Sequence, residues 1–234
     1  MSKLSIIIPT HNDESIIQDT LESLARLVNI DEVVIVDGSS VDSTPEIIEK
    51  FNDKLGKIVF LKTSKESPAF QFHTGAKHAT GDTLWFLYPE MRPKQGSARK
   101  IKDIMKYQEV VGGSFEMIYE ANKPITKLLV KIQERTSQDT FLFLENSIFV
   151  RREIYEDIGG FDLLPVFEIK QLQHKIKKRG SFIVLKGFPV VTSLEKLEKD
   201  LSLLKLLKLT VCQLLCWIGL PISLCAKLFF RDAD

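Results

Sequence analysis

An α/β fold on a mostly parallel, Rossmann-like sheet is predicted by three features of the first part of the chain. Two unbroken, β-branched runs, residues 4–9 and 33–37, read as strands buried on both faces. Between them Ile17, Leu21, Leu24 and Leu27 recur at helical spacing, which makes the unit β-α-β. Each strand ends in small polar and acidic residues, Thr10-His11-Asn12-Asp13 and Gly38-Ser39-Ser40. In an open sheet of such units, ligands bind beyond the carboxyl ends of the strands, so residues 9–13 and 37–40 should meet at one site.

The remaining elements follow from local signals. Asn12 or Asp13 is available to cap the first helix. Thr44-Pro45-Glu46 opens the second with a hydroxyl, a proline suited to the first helical position and an early acid. A third strand is expected over 57–62, a helix over 69–79 and a fourth strand over 83–87. Farther on come a helix over 95–107, a strand over 110–119, helices over 124–136, 153–158 and 167–178, and a late strand over 181–185. Gly159-Gly160 stops the short helix at 153–158.

The tail differs in character. Leucines dominate from Leu201, and residues 209–226 form an uncharged span of about 18 residues, the lower limit for crossing a membrane. Gly219 and Pro221 interrupt it, which predicts two short helices, 196–218 and 221–230. Lys199, Lys205 and Lys208 flank the apolar stripe, as on a helix lying at a membrane surface. A homo-oligomer contact, or packing against the chain's own domain, would bury the same stripe. The expected division is a domain over 1–195 and an apolar helical tail over 196–234.

Composition bounds the function. With 234 residues, 44% hydrophobic and 27% charged, the chain can bury a sizeable core and is not a disordered protein. A net charge of +1 gives no reason to expect a nucleic-acid partner. The charge is uneven, because residues 170–208 carry ten Lys or Arg against three acids. Cys212, Cys216 and Cys225 all lie in the tail and read as small buried hydrophobes rather than a disulfide framework. The first apolar run is short and ends at Pro9, which is not the pattern of a secretory signal. The expected location is the cytoplasm, or peripherally the cytoplasmic face of a membrane.

The two acidic strand ends resemble the family 2 glycosyltransferases, whose first strand ends in P-T-x-N-E and whose second ends in V-D-x-G-S-x-D-x-T. Pro9, Thr10, Asn12 and Asp13 match the first, and Asp37, Ser39 or Ser40, Asp42 and Thr44 the second. Gly75-Ala76 before 81–87 resembles the helix and strand leading to the family's metal site, and residues 146–152 with Ile158-Gly159-Gly160-Phe161 resemble its F-V-R-R…G-G-F stretch. The likeness is nearest to a small, single-domain branch often found near radical-SAM genes. It implies a GT-A fold, a nucleotide-sugar donor, an unidentified acceptor with a lipid-linked one among the options, and a divalent cation, Mn or Mg. Pro9, Thr10, Asp13, Asp37 and Ser39 would contact the nucleotide.

Four places depart from the family pattern. Tyr88-Pro89-Glu90 stands where relatives carry D-x-D, leaving Glu90 as the one candidate metal ligand and implying weak or absent metal binding. Glu168-Ile169 stands for the E-D pair that supplies the catalytic base, so Glu168 is the surviving candidate. Leu144-Glu145-Asn146 replaces G-D-Q, which assigns Glu145 to the acceptor side. Residues 68–73 lack the arginines of relatives but keep Gln71. Two functions follow: a glycosyltransferase, or a weakened or inactive relative that binds a nucleotide sugar, a lipid or a partner enzyme.

Overall fold

All of β1 (Leu4–Thr10) is buried, and α1 (Ile17–Ala25) returns the chain to an equally buried β2 (Glu32–Asp37), as expected of strands covered on both faces. In this computed structural model, which describes residues 2–56, 58–135 and 144–230, α2 (Thr44–Glu49) and the one-turn α3 (Asn52–Leu55) lead to β3 (Ile58–Lys62). After α4 (Pro68–His78) and β4 (Thr83–Phe86) come β5 (Met91–Pro93), α5 (Ser97–Ile104), β6 (Val110–Glu120), α6 (Pro124–Arg135) and β7 (Ile148–Arg151). Then α7 (Arg152–Asp157), α8 (Glu168–Lys177) and β8 (Ser181–Ser193) close the sheet, and α9 (Glu195–Asp200), α10 (Leu203–Trp217) and α11 (Ile222–Phe229) form the tail. Lys57 and Thr136, expected ends of a strand and a helix, lie outside the described residues.

Among the described residues the sheet order is β3-β2-β1-β4-β7-β6-β8-β5. The strands from β3 to β4 are all parallel, whereas β7 runs antiparallel to both β4 and β6. Strand order reverses at β1, with β2 on one side and β4 on the other. That reversal parts the connecting loops and opens a crevice at the carboxyl ends of β1 and β4. Close helix packing frames it: a Cβ on Gly75 of α4 would lie 2.4 Å from Ile7 Cγ2, so only glycine lets the helix sit this near β1. Phe72 stacks on Phe161 at 5.3 Å and meets Tyr88 edge-on at 5.2 Å, which fixes the residue that follows β4.

Several boundaries differ from expectation for visible reasons. Neither Asn12 nor Asp13 caps α1; Ile16 holds that position, and Asp13 instead accepts the Ile16 and Ile17 amides through its carbonyl. The Thr44 hydroxyl likewise accepts the Asp13 amide at 2.8 Å rather than capping α2. β8 continues past 185 to Ser193, because a register shift between Phe115 and Met117 of β6 accommodates the turn-like Lys186-Gly187. The tail helix expected over 196–218 is broken: Leu201 is extended, and the Ser202 hydroxyl accepts the Lys205 amide to start α10 anew.

The tail packs partly on the rest of the chain. Leu209, Cys212, Cys225 and Ala226 are buried against Leu164 and Phe167, just before α8. Leu197, Leu201 and Leu206 lie against Leu129, Leu144 and Leu194. The opposite face of α10 stays exposed through Leu203, Leu207, Leu214 and Ile218. Cys212 and Cys225 are buried free thiols and Cys216 is half-buried. No helix among the described residues is long and apolar enough to cross a membrane.

Candidate active site

The two acidic strand ends do meet, and hydrogen bonds lock them together. Asp37 is 1% exposed; its Oδ1 accepts from Thr10 Oγ1 at 3.1 Å and Ser40 Oγ at 2.5 Å, and its Oδ2 from the Ser40 amide at 3.0 Å. Ser39, left-handed at φ 60°, donates its hydroxyl to the Thr63 carbonyl at 2.9 Å. Gln71 donates to the Thr10 carbonyl at 2.8 Å, and a Cβ on Gly38 would strike that same Gln71 amide at 2.6 Å. Asp13, also 1% exposed, accepts the His11 amide at 2.9 Å and the Lys196 ammonium at 2.6 Å.

A cavity of about 220 Å³ opens in the crevice. Pro9, Thr10 and Asp13 form one wall, Gln71 another, and Tyr88 and Glu90 a third, while Lys196 and Lys205 close it from the tail. Asp37 and Ser39 stand behind the first wall and shape it without lining it.

At this cavity three carboxylates gather around Tyr88: Glu168 is buried, and Glu90 and Glu145 are half-buried. The Tyr88 hydroxyl donates to Glu168 Oε1 at 2.5 Å, so a cavity wall is bonded directly to the candidate base. Glu168 opens α8 behind Phe167, whose left-handed φ of 67° swings the helix start inward. Glu145 Oε2 is buried with no hydrogen-bond partner among the described residues. Burial, reinforced by the Glu168 charge, pushes the Glu145 carboxyl up to about 8. Burial also raises Glu168, against the Tyr88 hydrogen bond that favours its charged form. At Glu90 burial dominates and takes the carboxyl to about 7, with Lys196 opposing and Asp13 adding to the rise. The site can therefore hold a proton acceptor of raised basicity next to a polar, basic-edged cavity.

The sequence pattern of Glycosyl transferase family 2 matches residues 5–159. The chain belongs to this family. Its 5–159 match contains both strand ends and the whole of the first cavity wall. The poly(ribitol-phosphate) beta-N-acetylglucosaminyltransferase TarS of Staphylococcus aureus is 37% identical over 91 residues, 37% of this chain and 16% of that protein. The probable glycosyltransferase YdaM of Bacillus subtilis is 22% identical over 216 residues, 84% of this chain and 51% of YdaM. The chain thus spans about half of YdaM and 16% of TarS in these matches. The mannosyltransferase PcManGT of Pyrobaculum calidifontis, solved with GDP-Man and Mn2+, superposes with a TM-score of 0.71 at 18% identity, covering 98% of this chain and 70% of that one. TarS residues 1–349 with UDP-GlcNAc gives 0.68 at 20% identity, covering 97% and 70%. The GT-A fold expected from the sequence is the fold found, and sugar transfer is the family's general chemistry.

Within this family 2 chain, the arginine pair of the F-V-R-R stretch is structural. Arg151 donates to the carbonyls of Met105, Tyr107 and Val110, and Arg152 to those of Ala76, Ala79 and Gly81. β7 is antiparallel, so Arg151 lies opposite Thr83, at the far end of β4 from the cavity. His73 pairs with the Tyr155 hydroxyl and His78 with the Thr74 carbonyl. Ile169 is fully buried in the main core.

The residues after β4 do not fit a divalent cation. Tyr88 donates its hydroxyl to Glu168, Pro89 has no side-chain oxygen and Asp13 is already paired with an ammonium, which leaves Glu90 alone where the family's D-x-D offers two carboxylates. Among the described residues no group of three or more His, Cys, Asp or Glu could hold a metal. Sequence reasoning missed Lys196 and Lys205, which reach the cavity from the tail, and gave Tyr88 no part. No local motif marks a lysine that acts 183 positions from its partner, Asp13.

Proposed function

We propose that the chain transfers a sugar from a nucleoside diphosphate sugar to a hydroxyl acceptor, with the diphosphate in the cavity between β1 and β4. The observation that carries this reading is the Tyr88–Glu168 hydrogen bond, which joins the donor cavity to a buried carboxylate at the start of α8. Pro9, Thr10 and Asp13 face the nucleotide, and Asp37 and Ser39 hold the loops that present them. As the acceptor oxygen bonds to the sugar's anomeric carbon, the bond to the diphosphate breaks and Glu168 takes the acceptor proton. Its raised basicity suits that task, and Glu145 orients the acceptor. The exposed leucines of α10, with Lys199 and Lys208 near them in sequence, seat the protein peripherally on an anionic membrane, where a lipid-linked acceptor would be within reach.

A second reading is supported by Ile169. Its place in the core leaves Glu168, itself 5% exposed, without the acidic neighbour of the family's E-D pair. On that reading the chain binds a nucleotide sugar without turnover. Glu168→Gln separates the two. A transferase should lose about 10²- to 10⁴-fold in rate while keeping its donor affinity. Full activity in the variant would remove Glu168 from the mechanism, and donor binding without consumption by wild type would favour the binder.

A further inference from the structure

The cavity poses an electrostatic problem. Asp13, Glu66, Glu90 and Asp200 all line it, and a diphosphate entering a carboxylate-lined cavity needs compensating positive charge. Relatives of this fold are seen with Mn2+, but after β4 only Glu90 offers a carboxylate to such an ion. Two side chains on the cavity wall carry the missing charge. Lys196 of α9 holds its Nζ 2.6 Å from Asp13 Oδ1, and Lys205 of α10 lines the same wall. We propose that the Lys196 ammonium, assisted by Lys205, binds the donor diphosphate in place of a divalent cation, so that nucleotide binding and sugar transfer are independent of metal.

This inference rests on the donor reading of the cavity. An ammonium has three donors, and Asp13 takes one of them in this structure. The other two are free to meet phosphate oxygens while Asp13 keeps the side chain aimed. Lys196 is 46% exposed on its side chain and Asp13 only 1%, so the lysine can shift toward a ligand from a fixed anchor. During transfer the bond from the sugar's anomeric carbon to the diphosphate oxygen breaks, and the electron pair stays on the nucleoside diphosphate. Lys196 neutralises that growing charge where relatives would use a metal. The placement also fits Tyr88-Pro89-Glu90 standing where relatives carry D-x-D: with a tethered cation present, a second carboxylate there has no ion to hold.

Calorimetry with UDP and GDP tests the idea on the full chain, in EDTA and again in Mn2+, using wild type, Lys196→Gln, Lys196→Arg and Lys199→Ala. Uridine and guanosine serve as probes without phosphates. Wild type should bind at least one diphosphate in EDTA, with affinity within about threefold of that in Mn2+. Lys196→Gln should weaken that binding by about 10- to 100-fold and leave nucleoside binding unchanged, as loss of one charged hydrogen bond predicts. Lys196→Arg should retain most of the affinity, and Lys199→Ala, whose ion pair is with Glu195, should retain all of it. Binding that appears only with Mn2+, or an unimpaired Lys196→Gln, overturns the inference while leaving the donor reading intact. No diphosphate binding under any condition overturns both.

Discussion

Glu145 shows how one buried group links the site to stability. Its carboxyl rises from 4.5 to about 8, chiefly through burial, and its Oε2 has no hydrogen-bond partner among the described residues. Between those two values the folded state keeps the proton and the unfolded state releases it. Folding stability therefore falls as pH rises across that window, by up to about 1.4 kcal/mol per pH unit for one proton. Glu145→Gln cannot titrate, so urea unfolding from pH 5 to 8.5 should give it the flatter profile and a stability relative to wild type that improves with pH. Parallel profiles for the two proteins would mean that Glu145 is ionised and solvated. The carboxylates themselves were legible in the sequence because each stands at a motif position. Their environment was not, since burial and the Tyr88–Glu168 bond depend on how the start of α8 meets the segment that follows β4.

At the level of elements, periodicity found what local sequence controls and missed what pairing controls. β1, β2 and α4 were readable because their apolar spacing and flanking Pro or Gly are local. β5 was not, being a three-residue strand that exists through pairing with β8. The break between α9 and α10 depends on a single serine cap, a weak signal within a leucine-rich run. That break matters, because it lets α9 carry Lys196 to the cavity while α10 turns Leu203, Leu207, Leu214 and Ile218 outward at helical spacing. If this face sits on a membrane, wild type should pellet with anionic liposomes at low salt. Leu207→Glu with Leu214→Glu should abolish pelleting without lowering the melting temperature, since both positions are more than half exposed. The flanking lysines should add a salt-dependent share of about 1 kcal/mol each. Failure of wild type to pellet would assign the face to another contact.

Across the whole molecule, the tail packs on the residues that precede it, at Leu164 and Phe167 and at Leu129, Leu144 and Leu194. Phe167 is buried against the tail and immediately precedes Glu168, so the start of α8 leans on α10 and α11. The Phe230 ring meets Phe167 edge-on at 5.9 Å, extending that support to the last described residue. Removing residues 201–234 would uncover Leu164 and Phe167 and delete the buried side chains of Leu209, Cys212, Cys225 and Ala226. Each large apolar side chain returned to water costs about 1.5–3 kcal/mol, so Leu164 and Phe167 alone represent a large share of the stability of an ordinary domain. The truncated chain should melt well below the full-length protein and bind a hydrophobic dye. Any folded fraction should have lost activity, because Phe167 no longer fixes the Glu168 carboxylate against Tyr88. A truncated protein that melts cooperatively at the full-length temperature would instead make the tail an independent appendage, and would remove the support assigned here to α8.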